Sequence, residues 1–169
     1  PIARAVSSPL SRSRRTAEFA LGEGRAIGLT LDPGFAEIAH GSWEGKLVDE
    51  IAAEDGPRLE AWRHAPHTVT MPGGESLEGV LTRAWDALTR ATAGLSSEET
   101  LLIVAHDAVN RVILCRILGL PLARLWSFRQ APATLNLLEG PGLDRLEVVR
   151  LNDAGHVAAM FGEAKHRSV

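Results

Sequence analysis

Three polar residues of the chain, Arg12, Glu37 and His106, have the types and local settings needed to bind an anion and move a proton. Arg12 follows Ser8-Pro9, which reads as a helix N-cap with proline at the first helical position. About one turn into such a helix, its guanidinium can lean back toward the N-terminus, where free N–H groups and the helix dipole favour an anion. The planar fork of arginine also matches two phosphate oxygens at once. His106 closes the most apolar run of the sequence, TLLIVA at 100–105, directly before a second expected helix. Protonated there, it would be held by a bound anion and could transfer a proton. Glu37 lies in a loop rich in glycine and aromatic residues. Partly desolvated, its carboxyl would have a raised pKa suited to a general acid.

Each residue also has a plainer reading. Arg12, Arg14 and Arg15 can form a solvated helix face, His106 can be structural, and Glu37 can be an exposed loop carboxylate, with Glu44 beside Trp43 as a weaker rival. A metal site is not expected: His64 and His67 flank Pro66 at i, i+3, His40 is isolated, and no compact ligand set appears. P-loop, G-x-G-x-x-G and G-x-S-x-G patterns are absent, so no cofactor is expected. Cys115, within VILCRIL, reads as a small core residue, and Trp62, Trp85 and Trp126 as packing residues.

The elements that must position these groups alternate between strand and helix. Strands are expected at 2–6, 26–31, 100–105, 134–139 and 145–151. Helices are expected at 8–21, 47–53, 58–63, 76–95 and 108–118, with a further helical segment at 122–128. The 76–95 helix is the clearest, with Leu77, Val80, Leu81, Ala84, Trp85, Leu88 and Thr92 on one stripe and Glu78, Arg83, Asp86 and Arg90 off it. The apolar 100–105 run suits a parallel strand covered on both faces. Such alternation gives an α/β fold with a largely parallel sheet, read as one domain over residues 1–169. Ligands of such sheets bind beyond the carboxyl ends of the strands, where 7–12, 35–45 and 106–110 would lie.

Composition narrows the class. The 169 residues are 45% apolar and 23% charged, which fits a globular domain and excludes a disordered tail. No apolar run reaches the roughly 18 residues that span a bilayer, and one cysteine excludes a disulfide scaffold. A net charge of −3 gives no reason to expect nucleic acid as a partner. Residues 1–16 hold four arginines and no acid, as transit peptides do, but their strand-then-helix pattern favours folded structure. Without a targeting signal, the expected location is the cytoplasm.

Four segments in order resemble the histidine phosphatase superfamily, the phosphoglycerate-mutase-like enzymes. These are AVSSPLSRSRRTAE at 5–18, FAEIAHGSWEGK at 35–46, PGGES at 72–76 and LLIVAHDAVNRVILCRILGLPL at 101–122. The resemblance implies a three-layer α/β/α fold and metal-independent phosphoryl transfer. It makes Arg12 the phosphoryl ligand, Glu37 the proton donor to the leaving alcohol and His106 a phosphate ligand that stabilises transition-state charge. Two departures stand out. None of the six histidines lies in the family's Arg-His-Gly motif, so the first strand and the phosphohistidine nucleophile are expected to lie outside this N-terminally incomplete chain. Asp107 replaces a usual glycine, and is expected to turn away and cap the helix beginning at Ala108.

The short stretch between Glu37 and Pro72 resembles the compact phosphatase branch. The expected function is therefore hydrolysis of a small phosphorylated metabolite, with inorganic phosphate as the other ligand. Phosphoglycerate mutase activity, or a non-catalytic phosphate-binding remnant, are the alternatives. The resemblance allows a homodimer and implies no membrane partner.

Overall fold

The computed structural model describes residues 2–23 and 27–156. Its central strand is β1 (Ile2–Ser7), paired in parallel with β2 (Leu29–Leu31) on one side and β3 (Thr100–Val104) on the other, in the order β2-β1-β3. Having neighbours on both sides, β1 is buried at Ala5, Val6 and Ser7. The pairing continues past the strand ends: Ser8 N–H donates to the Val104 carbonyl at 3.0 Å, and Asp32 N–H to that of Ser7 at 2.9 Å. All three strands therefore end together at one edge of the sheet.

Side chains alternate across a strand, and the two faces of β1 go to different packing partners. Val6 joins the main core, whereas the helix α1 (Ser11–Leu21) packs against all three strands. The main core also gathers residues of α2 (Val48–His64), α3 (Leu77–Thr92) and α4 (Asp107–Ile117). Phe35, Ile51, Leu59, Met71, Val80, Val109, Val112 and Leu125 are fully enclosed in it, each worth about 1.5–3 kcal/mol of burial. Cys115 is buried there too. This is the expected α/β architecture with a mostly parallel sheet.

Several boundaries differ from the sequence expectations. α1 begins at Ser11 rather than after Ser8, and Leu10 occupies the N-cap without a side-chain cap. Arg12 is thus the second helical residue. β2 covers only 29–31; residue 26 lies outside the described residues. The helices expected at 47–53 and 58–63 are joined as α2, with a break at Asp55 (φ −143°, ψ 40°) where Pro57 lacks an N–H to donate. α3 carries its cap as expected, Ser76 Oγ accepting from Gly79 N–H at 3.2 Å, and ends at Thr92. Residues 101–104 of β3 are half-buried rather than sealed, because β1 is that strand's only partner among the described residues. The last two strands, β4 (Leu135–Glu139) and β5 (Glu147–Asp153), form a separate antiparallel pair.

The tryptophans pack as expected, though not all within the core. Trp62 is buried and meets Trp126 edge to face at 5.4 Å. Trp85 is only half-buried and carries the Arg116 guanidinium 3.9 Å above its ring. Among the described residues, no helix is long and apolar enough to cross a membrane.

Candidate active site

Parallel strands put their carboxyl ends on one edge, where a ligand has access to the following loops and helix starts. His106 stands there as the N-cap residue of α4, with extended backbone (φ −133°, ψ 172°) and only 7% exposed. Its Nε2 lies 2.8 Å from Ser8 Oγ, which also accepts the Leu10 N–H at 3.2 Å. The preceding serine is tied in as well. Ser7 Oγ is 3.0 Å from Ser13 Oγ, which donates to the Val104 carbonyl at 2.7 Å. Burial, and then the charges of Arg12 and Arg83, push the His106 pKa down to about 4. The free protein therefore holds a neutral imidazole at pH 7, where the sequence reading has a cation paired with a bound anion.

Glu37 faces the same corner from the loop after β2. Burial raises its carboxyl pKa, opposed by the Ile38 N–H that donates to Oε1 at 3.0 Å. The Asp107 charge raises it further, while the Arg12 charge and the Ala108 N–H act the other way. The carboxyl accordingly feels both the start of α1 and the first turn of α4. Glu44, the weaker rival, borders the same cleft, where its Oε1 accepts the His40 N–H at 3.1 Å.

Arg12 and Glu37 line one open cleft of about 570 Å³, together with Leu10, Ala36, residues 38–40, Trp43 and residues 44–46. His106 does not line it, being buried against Ser8, yet Arg12 is close enough to shift the pKa of both His106 and Glu37. Arg12 is thus the electrostatic link between the two. Among the described residues, no group of three or more His, Cys, Asp or Glu side chains could hold a metal ion.

The Glu37 loop has little regular structure, so its backbone groups need outside partners. The Asp32 carboxylate begins the turn, accepting the Gly34 N–H at 2.8 Å, and pairs with Arg90 at 2.9 Å. Further along, the loop is laced to the PGGES segment. Ser42 N–H donates to the Pro72 carbonyl at 2.8 Å, Glu75 N–H to that of Ala39 at 3.0 Å, and Ala39 N–H to Glu75 Oε2 at 2.9 Å. Glycine is needed on both sides of this contact. A Cβ on Gly41, whose φ is 58°, would fall 2.2 Å from the Pro72 carbonyl oxygen, and one on Gly74 would fall 2.1 Å from that of Ala39.

Sequence reasoning missed Ser8, Glu75 and Arg83. In the sequence Ser8 has the look of a cap, Glu75 sits within PGGES with no partner in view, and Arg83 lies off the apolar stripe of α3. The Asp107 expectation also needs correcting. Asp107 is the first residue of α4 rather than its cap, and its carboxylate accepts from Arg111 Nε, one turn on, at 2.8 Å. Arg111 is buried, donates to the carbonyls of Leu125 and Phe128, and lies 5.0 Å from the Trp126 ring centre. A buried guanidinium is stabilised by a nearby acid, and Asp107 supplies one from a turn earlier on α4.

Comparison with known proteins agrees with this arrangement. The profile of the Histidine phosphatase superfamily (branch 1) matches residues 1–154. Phosphoserine phosphatase 1 of Hydrogenobacter thermophilus is 29% identical over 163 residues, covering 96% of this chain and 75% of that protein. The adenosylcobalamin/alpha-ribazole phosphatase of Salmonella typhimurium is 32% identical over 129 residues, 76% of this chain and 63% of the relative. Among solved structures, Bacillus stearothermophilus YhfR superposes with a TM-score of 0.82 at 31% identity, over 90% of this chain and 74% of its own. A parallel sheet with these helix starts at its carboxyl edge, matched along nearly the whole length, places the chain in the histidine phosphatase superfamily, branch 1, as an enzyme of the histidine phosphatase type.

Proposed function

We propose that the protein hydrolyses a small phosphomonoester. Arg12 grips the phosphoryl oxygens with its planar fork. His106 takes up a proton as the dianion arrives and stabilises the charge of the transferring group. Glu37 gives its proton to the leaving alcohol. No histidine of this chain stands in an Arg-His-Gly motif, so this reading takes the phosphoryl-accepting histidine from sequence outside residues 1–169.

The observation that carries the reading is the pairing of opposite tendencies around Arg12. Burial favours the neutral, proton-bearing form of Glu37 and the neutral, proton-accepting form of His106. Groups whose environments separate their protonation states in this way are the ones that divide acid and charge-stabilising roles. A dianion placed against Arg12 would offset the charge that now disfavours imidazolium, coupling phosphate arrival to His106 protonation.

Two measurements test this. Inorganic phosphate should bind residues 1–169, and Arg12→Ala should weaken it roughly 10- to 100-fold, the worth of a charge-assisted hydrogen bond. The protein supplied with its accepting histidine should release phosphate from an aryl phosphate without added metal, and His106→Ala should abolish this. Undiminished turnover in that variant overturns the role of His106.

A further inference from the structure

We propose that Arg83 is the positioning residue for Glu37, holding the loop backbone on both sides of it through a fork of hydrogen bonds closed by Glu75. The proposal rests on the proton-donor reading of Glu37 for its catalytic meaning, but its geometry stands apart from that reading.

A guanidinium has five N–H donors in a fixed plane, and Arg83 uses every one. Nε and Nη2 donate to the two carboxylate oxygens of Glu75 at 2.7 and 2.9 Å. Nη1 donates to the carbonyls of Gly34 and Ala36 at 2.8 and 2.7 Å, and Nη2 to that of Glu37 at 3.2 Å. Glu75 then reaches past Glu37 to accept the Ala39 N–H. Residues 34, 36, 37 and 39 are thereby anchored to a single α3 side chain and its partner.

This is more than an ion pair on a surface, which would contribute little. Three carbonyls of an irregular loop find their donors here, and a lysine, with three donors and no fork, could not satisfy the same set. Misplacing a proton donor by about 1 Å costs on the order of 10²-fold in rate, so fixing the loop fixes the reaction geometry. The carboxyl of Glu37 is itself surrounded by Arg12 from α1, Asp107 and the Ala108 N–H from α4, and its own neighbour Ile38.

The experiment follows the Glu37 carboxyl by ¹³C NMR in residues 1–169, comparing Arg83→Gln and Arg83→Lys with the parent chain. Releasing the loop returns the carboxyl to water, so Arg83→Gln should lower the midpoint toward 4.5, with Arg83→Lys between. If Arg83 acted through its charge alone, removing it would raise the midpoint. An unchanged or raised midpoint in folded Arg83→Gln overturns the proposal, and should that variant not fold, an unchanged midpoint in Arg83→Lys does so. In the active enzyme, Arg83→Lys should lose roughly 10²-fold in kcat on alkyl phosphates and much less on aryl phosphates, which need little protonation on leaving. Should Glu37→Gln slow both substrates equally, the proton-donor reading fails while the titration still decides the role of Arg83.

Discussion

The Nε2 of His106 and the Oγ of Ser8 are 2.8 Å apart although 98 residues separate them in the chain. Ser8 directly follows β1 and His106 lies two residues past the end of its neighbour β3, so the sheet itself sets their contact. The Ser8 hydroxyl is in turn oriented by the Leu10 N–H. Ser8→Ala should free the imidazole to rotate and weaken phosphate binding by about two- to tenfold, the worth of one neutral hydrogen bond. Isothermal titration would measure this, and unchanged affinity together with unchanged His106 ring ¹⁵N shifts would remove Ser8 from the site.

The pH dependence of folding follows from His106. Its pKa is about 4 in the folded protein and 6.5 as a free side chain, so between these values the unfolded chain binds more protons. Stability should therefore fall as the pH is lowered from 6.5 toward 4, by about 2–3 kcal/mol from this residue. Glu37, with its raised pKa, acts oppositely just above 4.5, where ionisation disfavours the folded state. Urea unfolding at several pH values would show the slope, and His106→Gln should flatten it.

Asp107→Asn should leave Arg111 buried with a weaker partner and cost about 1–3 kcal/mol. The same change removes a negative charge that raises the Glu37 pKa, so the carboxyl should titrate lower. Chemical denaturation and carboxyl NMR on one variant test both. A lower midpoint without loss of stability would mean that Arg111 is held by its carbonyls and aromatic rings alone.

Gly41→Ala and Gly74→Ala should each destabilise the protein by about 1–3 kcal/mol or more, since their added carbons meet backbone oxygens rather than flexible side chains. Gly56→Ala, where nothing lies within 4 Å of the added carbon, is the control and should change stability little. Thermal unfolding distinguishes them.

What could be read in the sequence was whatever repeats along the chain. The apolar stripe of α3, the run that becomes β3 and the turn signals around 32–34 are all legible, and residue type and setting mark Arg12, Glu37 and His106, to which the family resemblance assigns roles. What could not be read were contacts whose second partner is backbone. The acceptors of Arg83 are three carbonyls and one carboxylate, and a carbonyl has no residue type to recognise. Ser8 misled for a related reason. Serine before proline is a sound cap signal, but here the hydroxyl serves Leu10 and His106, and the helix starts three residues later. Asp107 is misassigned because its partner, Arg111, lies one turn on within an otherwise apolar helix, where no residue pattern marks the two as a pair.

The ladder between β1 and β3 is continuous from Arg4 opposite Leu101 to Ser7 opposite Val104, and its irregularity falls between Ile2 and Arg4, at the end away from the site. Slippage by one residue would move Ser8 about 3.3 Å along the strand and turn its side chain to the other face. Chain length is therefore free to vary in this domain at the turn around 94–99, and fixed between residue 101 and His106. An inserted residue before Thr100 would be absorbed, whereas one within β3 would part serine from histidine while leaving every side chain of the site chemically intact.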